Sequence, residues 1–171
     1  VTDLRLFDFS EERDIARWHA VDDRVMGGVS DSRVQRCSPD SAAFAGVVSL
    51  ENNGGFASVH AAIPQGILAG HVAIALDCVG DGRRYSLRLR QDEAFDGISY
   101  RNDFTPAAGQ VSRILLPLAD FVPVFRGRTL TTAGPLEPAS VRRIGLLIAG
   151  QQAGEFKLEL HRVSAVKPAR V

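Results

Sequence analysis

Two short stretches concentrate the residues able to do polar chemistry. Residues 21–30 read Val21-Asp22-Asp23-Arg24-Val25-Met26-Gly27-Gly28-Val29-Ser30, and residues 52–56 read Asn52-Asn53-Gly54-Gly55-Phe56. Each joins side-chain oxygens to a Gly-Gly pair. Adjacent glycines let the backbone reach positive φ or approach another group without a Cβ clash, which suits a tight connection set against something polar. Asp22, Asp23 and Arg24, with Met26 beside them, can form a polar binding corner together with Asn52 and Asn53. Such an oxygen-rich set is also of the kind that suits Ca²⁺, which takes six to eight hard ligands. The alternative is internal: the carboxylates accept N–H groups of the glycine turns and pair with Arg24. Two adjacent Asp residues lack the spacing of a DxDxDG loop, and no metal site is assigned.

Arginines supply the second set of candidates. Arg88 and Arg90 fall on the polar side of one strand, and Arg101 and Asp103 on that of another. If those strands are neighbours, they form a mixed patch in which arginine can grip a carboxylate or phosphate bidentately. Otherwise the face is simply solvated, with cross-strand ion pairs worth little. Arg126 and Arg128 flank Gly127 in the longest irregular segment, a length that often marks a binding element. They present donors to an acidic partner, or else Phe125 anchors the loop while both stay wet. Catalysis finds little support. There is no GxSxG, no Cys/His signature and no carboxylate pair with a place across a cleft, and His60 reads as a surface residue. No CxxC or HExxH cluster occurs, and Gly80-Asp81-Gly82 lacks the third glycine of a dinucleotide fingerprint, so no cofactor is expected.

The elements that position these residues are strands. Period-two alternation sets Tyr85, Leu87 and Leu89 against Ser86, Arg88 and Arg90, and Ala57, Val59, Ala61 and Ile63 against Phe56, Ser58 and His60. Val72, Ile74, Leu76 and Cys78 oppose His71 and Asp77. Ile98, Tyr100, Asn102 and Phe104 oppose Ser99, Arg101 and Asp103, and Phe156, Leu158 and Leu160 oppose Lys157, Glu159 and His161. Gly80-Asp81-Gly82 reads as a tight hairpin turn, and Asn53-Gly54-Gly55 as another, joining 44–51 to 56–63. Residues 121–140, rich in Pro and Gly, read as loop, and Ser10 as the cap of a short helix over 11–17. Many short strands and few helices predict an all-β chain, an antiparallel β-sandwich or jelly roll.

Composition sets the remaining bounds. The 171 residues predict one domain, and 20 basic residues balance 20 acidic ones, so nucleic acid is not expected as a partner. There is no apolar run long enough to span a bilayer, which predicts a soluble chain without a transmembrane segment, and the expected location is cytoplasmic. The chain starts at Val1, so the lack of a charged-then-apolar leader says little about targeting. Cys37 and Cys78, outside any paired motif, read as small buried or half-buried thiols.

The two glycine stretches, with Trp18, Phe44-Ala45-Gly46, residues 80–85, residues 121–128, Ile144-Gly145-Leu146-Leu147-Ile148 and residues 154–160, resemble the complex I intermediate-associated protein 30 family in order and over nearly the whole chain. The resemblance implies a galactose-binding-like jelly roll over residues 1–171 and a noncatalytic module that contacts protein partners during assembly of a larger, respiratory complex. The same fold permits a carbohydrate or small polar ligand instead, although aromatics are only 7% of the chain. An aromatic is expected near Ser112 and Arg113, and none is present. Tyr85, Leu87, Leu89, Val59, Ile63, Leu146 and Ile148 are expected between the sheets. The segments 22–28 and 52–55 are expected to lie together, with Arg126 or Arg128 reaching toward them.

Overall fold

The computed structural model describes residues 3–21, 31–51, 55–92, 97–125, 128–150 and 152–169. Asp22, Asp23, Arg24, Met26, Asn52, Asn53 and Arg126 lie outside the described residues, and so does the expected meeting of the two glycine stretches. In chain order the elements are β1 (Leu4–Asp8), α1 (Glu12–Ile15), β2 (His19–Ala20), β3 (Asp31–Ser38), β4 (Ser41–Val48), β5 (Ala57–Ala62) and β6 (Ala73–Val79). They continue with β7 (Tyr85–Arg90), β8 (Ser99–Phe104), β9 (Val111–Pro117), β10 (Val122–Phe125), β11 (Arg128–Thr129), β12 (Arg143–Ile148) and β13 (Gly154–Val166). The strands form two antiparallel sheets. One runs β3-β4-β13-β6-β9 with β1 added beside β13, and the other runs β11-β10-β8-β7-β12-β5-β2.

The alternating residues meet between these sheets. Tyr85, Leu87, Leu89 and Ile148 have no solvent exposure, and Val59, Ile63 and Leu146 have almost none, as the pattern predicts. At one end Phe44 meets Phe156 edge-on at 4.9 Å, with Tyr85 against both. At the other, Trp18 packs on Phe7 at 4.9 Å and on Phe9, which makes it a core residue.

Several local expectations are corrected. Neither glycine turn closes a hairpin: β4 and β5 belong to different sheets, and so do β6 and β7. Both connections carry the chain from one layer to the other. At the second, Gly82 uses its freedom at φ +87°, while Gly80 is needed for space, since a Cβ there would stand 2.4 Å from the Pro106 carbonyl oxygen. Asp81 holds the crossing together. Its carboxylate accepts the Tyr85 hydroxyl at 3.0 Å, the Lys157 N–H at 2.8 Å and the Arg83 N–H at 3.1 Å, which ties the corner to β7 and β13. Burial and the facing carboxylate push the Tyr85 hydroxyl pKa upward.

Residues 121–140 are not all loop. β10 pairs with β8, and Pro123 is accommodated near the sheet edge, where one missing N–H costs least. Ser10 does not cap α1; its hydroxyl and N–H both donate to Asp8, at 2.7 and 3.0 Å, and hold the Asp8 carboxyl below its ordinary pKa. Val72 is exposed rather than buried, because β6 begins one residue later. Cys37 is exposed, while Cys78 is buried and its thiol is pushed up to about 12 by desolvation; both are free. Where the family resemblance implies an aromatic, Ser112 pairs with Cys78 and buries its Oγ without a hydrogen-bond partner among the described residues.

The Asp81 corner gives a stability prediction. Asp81→Ala strands the buried Tyr85 hydroxyl and is expected to cost about 1–3 kcal/mol in urea denaturation. Tyr85→Phe removes the donor and leaves Asp81 with the Lys157 and Arg83 N–H groups, and is expected to cost less. The double variant should fall well short of the summed losses.

Candidate functional site

The pleat of the seven-stranded sheet decides which polar groups share a face. With Tyr85, Leu87 and Leu89 held inward, Ser86, Arg88 and Arg90 must point outward. β7 pairs with β8 so that Arg88 lies opposite Arg101, Arg90 opposite Ser99 and Ser86 opposite Asp103. On its other side β12 sets Arg143 opposite Arg90, Gly145 opposite Arg88 and Leu147 opposite Ser86. β5 continues the rows with Ala62, His60 and Ser58. The two strands are therefore neighbours, and Arg88, Arg90, Arg101 and Asp103 share one face.

The centre of this face is a groove with a cavity volume of about 290 Å³. Arg88, Arg90 and Arg143 line it, with His60, Ser58 and Ser99, and Val21, Phe56 and Leu147 supply its apolar part. Gly145 leaves its floor without a side chain; a Cβ there would stand 3.1 Å from the Val59 carbonyl oxygen. Among the described lining residues there is no carboxylate. The acids near the arginines sit at its margins. Asp103 lies 3.4 Å from Arg101 Nε and accepts the Ser86 hydroxyl at 2.5 Å, and exposed Asp92 lies 3.6 Å from Arg90 Nη2.

Arg88 is the residue under most electrostatic pressure. It is half-buried, and its Nε is buried with no hydrogen-bond partner among the described residues. Burial, then Arg101 and Arg90, pulls its pKa down to about 10, with Asp103 opposing. His60 is also half-buried. Desolvation first, then Arg143, His19 and Arg90, hold its imidazole below the usual value, and the His19 ring stands 6.3 Å away. Ser58 does not face His60 as a nucleophile would, because its hydroxyl donates to the Val21 carbonyl.

Of the candidates drawn from the sequence, the structure brings Arg88 and Arg90 into the groove and leaves Arg128 exposed at the sheet margin in β11, outside the groove lining. Two groove residues are not marked by residue type alone. His60 has the pattern of a surface residue, and Arg143 stands in no motif. The alternation of Arg143, Gly145 and Leu147 against Ile144, Leu146 and Ile148 is the available signal.

Residues 7–160 match the family described as Complex I intermediate-associated protein 30. An uncharacterized protein of Schizosaccharomyces pombe is 30% identical, covering 87% of this chain and 80% of its own length. Mouse mitochondrial Complex I intermediate-associated protein 30 is 24% identical over 91% of this chain, which spans about half, 53%, of the mouse protein. Among solved structures, the family 11 carbohydrate-binding module of a Clostridium thermocellum cellulase superposes with a TM-score of 0.76 at 14% identity, covering 100% of this chain and 98% of the module. The module in complex with a β-1,3-1,4-mixed-linked tetrasaccharide gives 0.71 at 13% identity, covering 100% and 99%. These likenesses identify the two-sheet sandwich as a galactose-binding-like jelly roll.

Groove electrostatics give a pH prediction. The folded chain holds the His60 proton more weakly than the unfolded chain does. The contribution of neutral His60 to stability is thus complete above the ordinary value of 6.5 and is lost as pH falls through the lowered folded value. His60→Gln is expected to flatten the pH dependence of thermal stability in that window. Arg143→Gln should move the His60 imidazole titration, followed by NMR, upward toward its ordinary value.

Proposed function

Since the chain belongs to the complex I intermediate-associated protein 30 family, we propose that it is a noncatalytic module that binds a protein partner during assembly of a larger respiratory complex. The observation that carries this reading is the groove on the outer face of β5, β12, β7 and β8, whose described lining joins three arginines to apolar surface. A face of that composition suits a protein segment with polar and apolar side chains. The chain's balance of 20 basic and 20 acidic residues argues against an extended phosphate backbone as ligand. A noncatalytic role is supported by the engagement of Ser58 with Val21 and by the cationic surroundings of His60, which leave it no acidic orienting group among the lining residues.

The second reading, a carbohydrate- or small-ligand-binding module, draws on the likeness to modules of that class. Against it, Phe56 is the one aromatic among the described lining residues, where sugar sites usually stack their rings on several.

Site-specific crosslinking separates the two. A photoreactive residue at Ala62, exposed on the outer face of β5, is expected to capture a protein from the native source. The same group at Val111, 62% exposed on the other sheet, is expected to capture none. Capture from Val111 alone would move the interface to the opposite face. No capture from either, together with a hit on a glycan array, would turn the assignment to the carbohydrate reading.

A further inference from the structure

The outer face breaks a rule of sheet design twice. Arg88 lies directly opposite Arg101, and Arg90 directly opposite Arg143, and like charges in facing positions destabilise a sheet. A surface under no further demand would alternate the signs, as Arg101 and Asp103 do at the margin. In the groove the arginines are also partly taken out of water, which raises the cost of their charge. The buried Nε of Arg88 has no hydrogen-bond partner among the described residues, and the described lining offers no carboxylate. A cationic cleft that is expensive to keep is the pattern expected where an anionic group completes the site. Apolar Leu147, only 7% exposed although it faces away from the core, and Phe56 lie in the same groove. A free inorganic anion makes no use of that surface, and a neutral sugar can accept hydrogen bonds from the arginines but leaves their charge without a counter-ion.

We propose that the groove receives an acidic segment of the partner protein, in which a carboxylate pairs with Arg88 and an adjacent apolar side chain packs against half-buried Phe56. This inference rests on the proposed role in protein binding and specifies its chemistry. Arg143 adds to the positive field together with Arg90, which Asp92 partly offsets from 3.6 Å, and Gly145 keeps the floor open for backbone to approach. Arginine suits the anchoring position because its planar fork meets a carboxylate with two parallel bonds.

The test uses a labelled peptide alternating Glu and Leu, titrated against the whole chain by fluorescence anisotropy. Saturable binding is expected, weakened about tenfold or more when Gln replaces Glu and about tenfold by Arg88→Ala, with Arg88→Lys in between. Binding should also raise the His60 titration followed by NMR. The groups acting on that ring are His19 from β2, Arg143 from β12 and Arg90 from β7, and a bound carboxylate offsets their field while the Gln peptide leaves it unchanged. Equal binding of the Gln peptide would overturn the inference. So would an Arg88→Ala chain that keeps its near-UV circular dichroism and its full affinity. Displacement of the peptide by inorganic phosphate, or by a mixed-linked β-glucan tetrasaccharide, at lower concentration than by unlabelled peptide would assign the groove to that other chemistry. If Ala62 crosslinks a protein equally in the wild type and in Arg88→Ala, the acidic segment fails and the protein-binding role stands. Peptide binding without any protein crosslink would support the groove's choice of acidic segments and overturn the assembly role.

Discussion

The register of β7 between β8 and β12 is the constraint on which the rest of this molecule turns. Leu87 and Leu89 are wholly buried and Tyr85 is fixed by Asp81, so β7 cannot slip by one residue without exposing all three. Burial of two leucines and a tyrosine stabilises the strand by several kcal/mol, on the scale of about 1.5–3 kcal/mol for each large apolar side chain. Repulsion between one pair of facing charges is worth about 1 kcal/mol where the pair is exposed, and partial burial of Arg88 adds to it without matching the core. The core therefore wins, and Arg88 and Arg90 stay where the pleat puts them.

Much of this was legible in the sequence, because a strand announces its faces by period two. The inward set of β5, β7, β8 and β12 follows directly from that alternation. The destinations of the turns did not follow. Gly-Asp-Gly supplies the same positive φ and the same short polar side chain whether the chain doubles back or crosses to the other sheet. What distinguishes the two cases is a set of partners far away in sequence: Pro106 against Gly80, and Lys157 on Asp81. Pro123 misleads in a similar way, since a proline rules out a central strand but not one near a sheet margin.

The site was half legible for the same reason. Arg88 and Arg90 declare themselves as outward residues, but their opposite numbers depend on strand order. Arg143 reaches Arg90 only because β12, distant in sequence, inserts between β7 and β5. His60 shows the limit of residue-type reasoning. A lone strand histidine is usually wet, and nothing local to it announces that two arginines and a second histidine, from three different strands, act on its ring. Electrostatic character of this kind belongs to the assembled sheet.

The place of β13 has a further consequence for how the chain is made. It is the last of the described strands to leave the ribosome, yet it lies in the middle of its sheet, between β4 and β6, with β1 alongside its far end. Until it arrives, β4 and β6 each present an unsatisfied row of N–H and C=O groups, and β1 has nothing to join. Contacts between the first and last strands give the topology a high contact order, which slows folding. A nascent chain with two open edges is a template for pairing with the wrong strand. The period of greatest risk for these two sheets thus falls before β13 is free to pair.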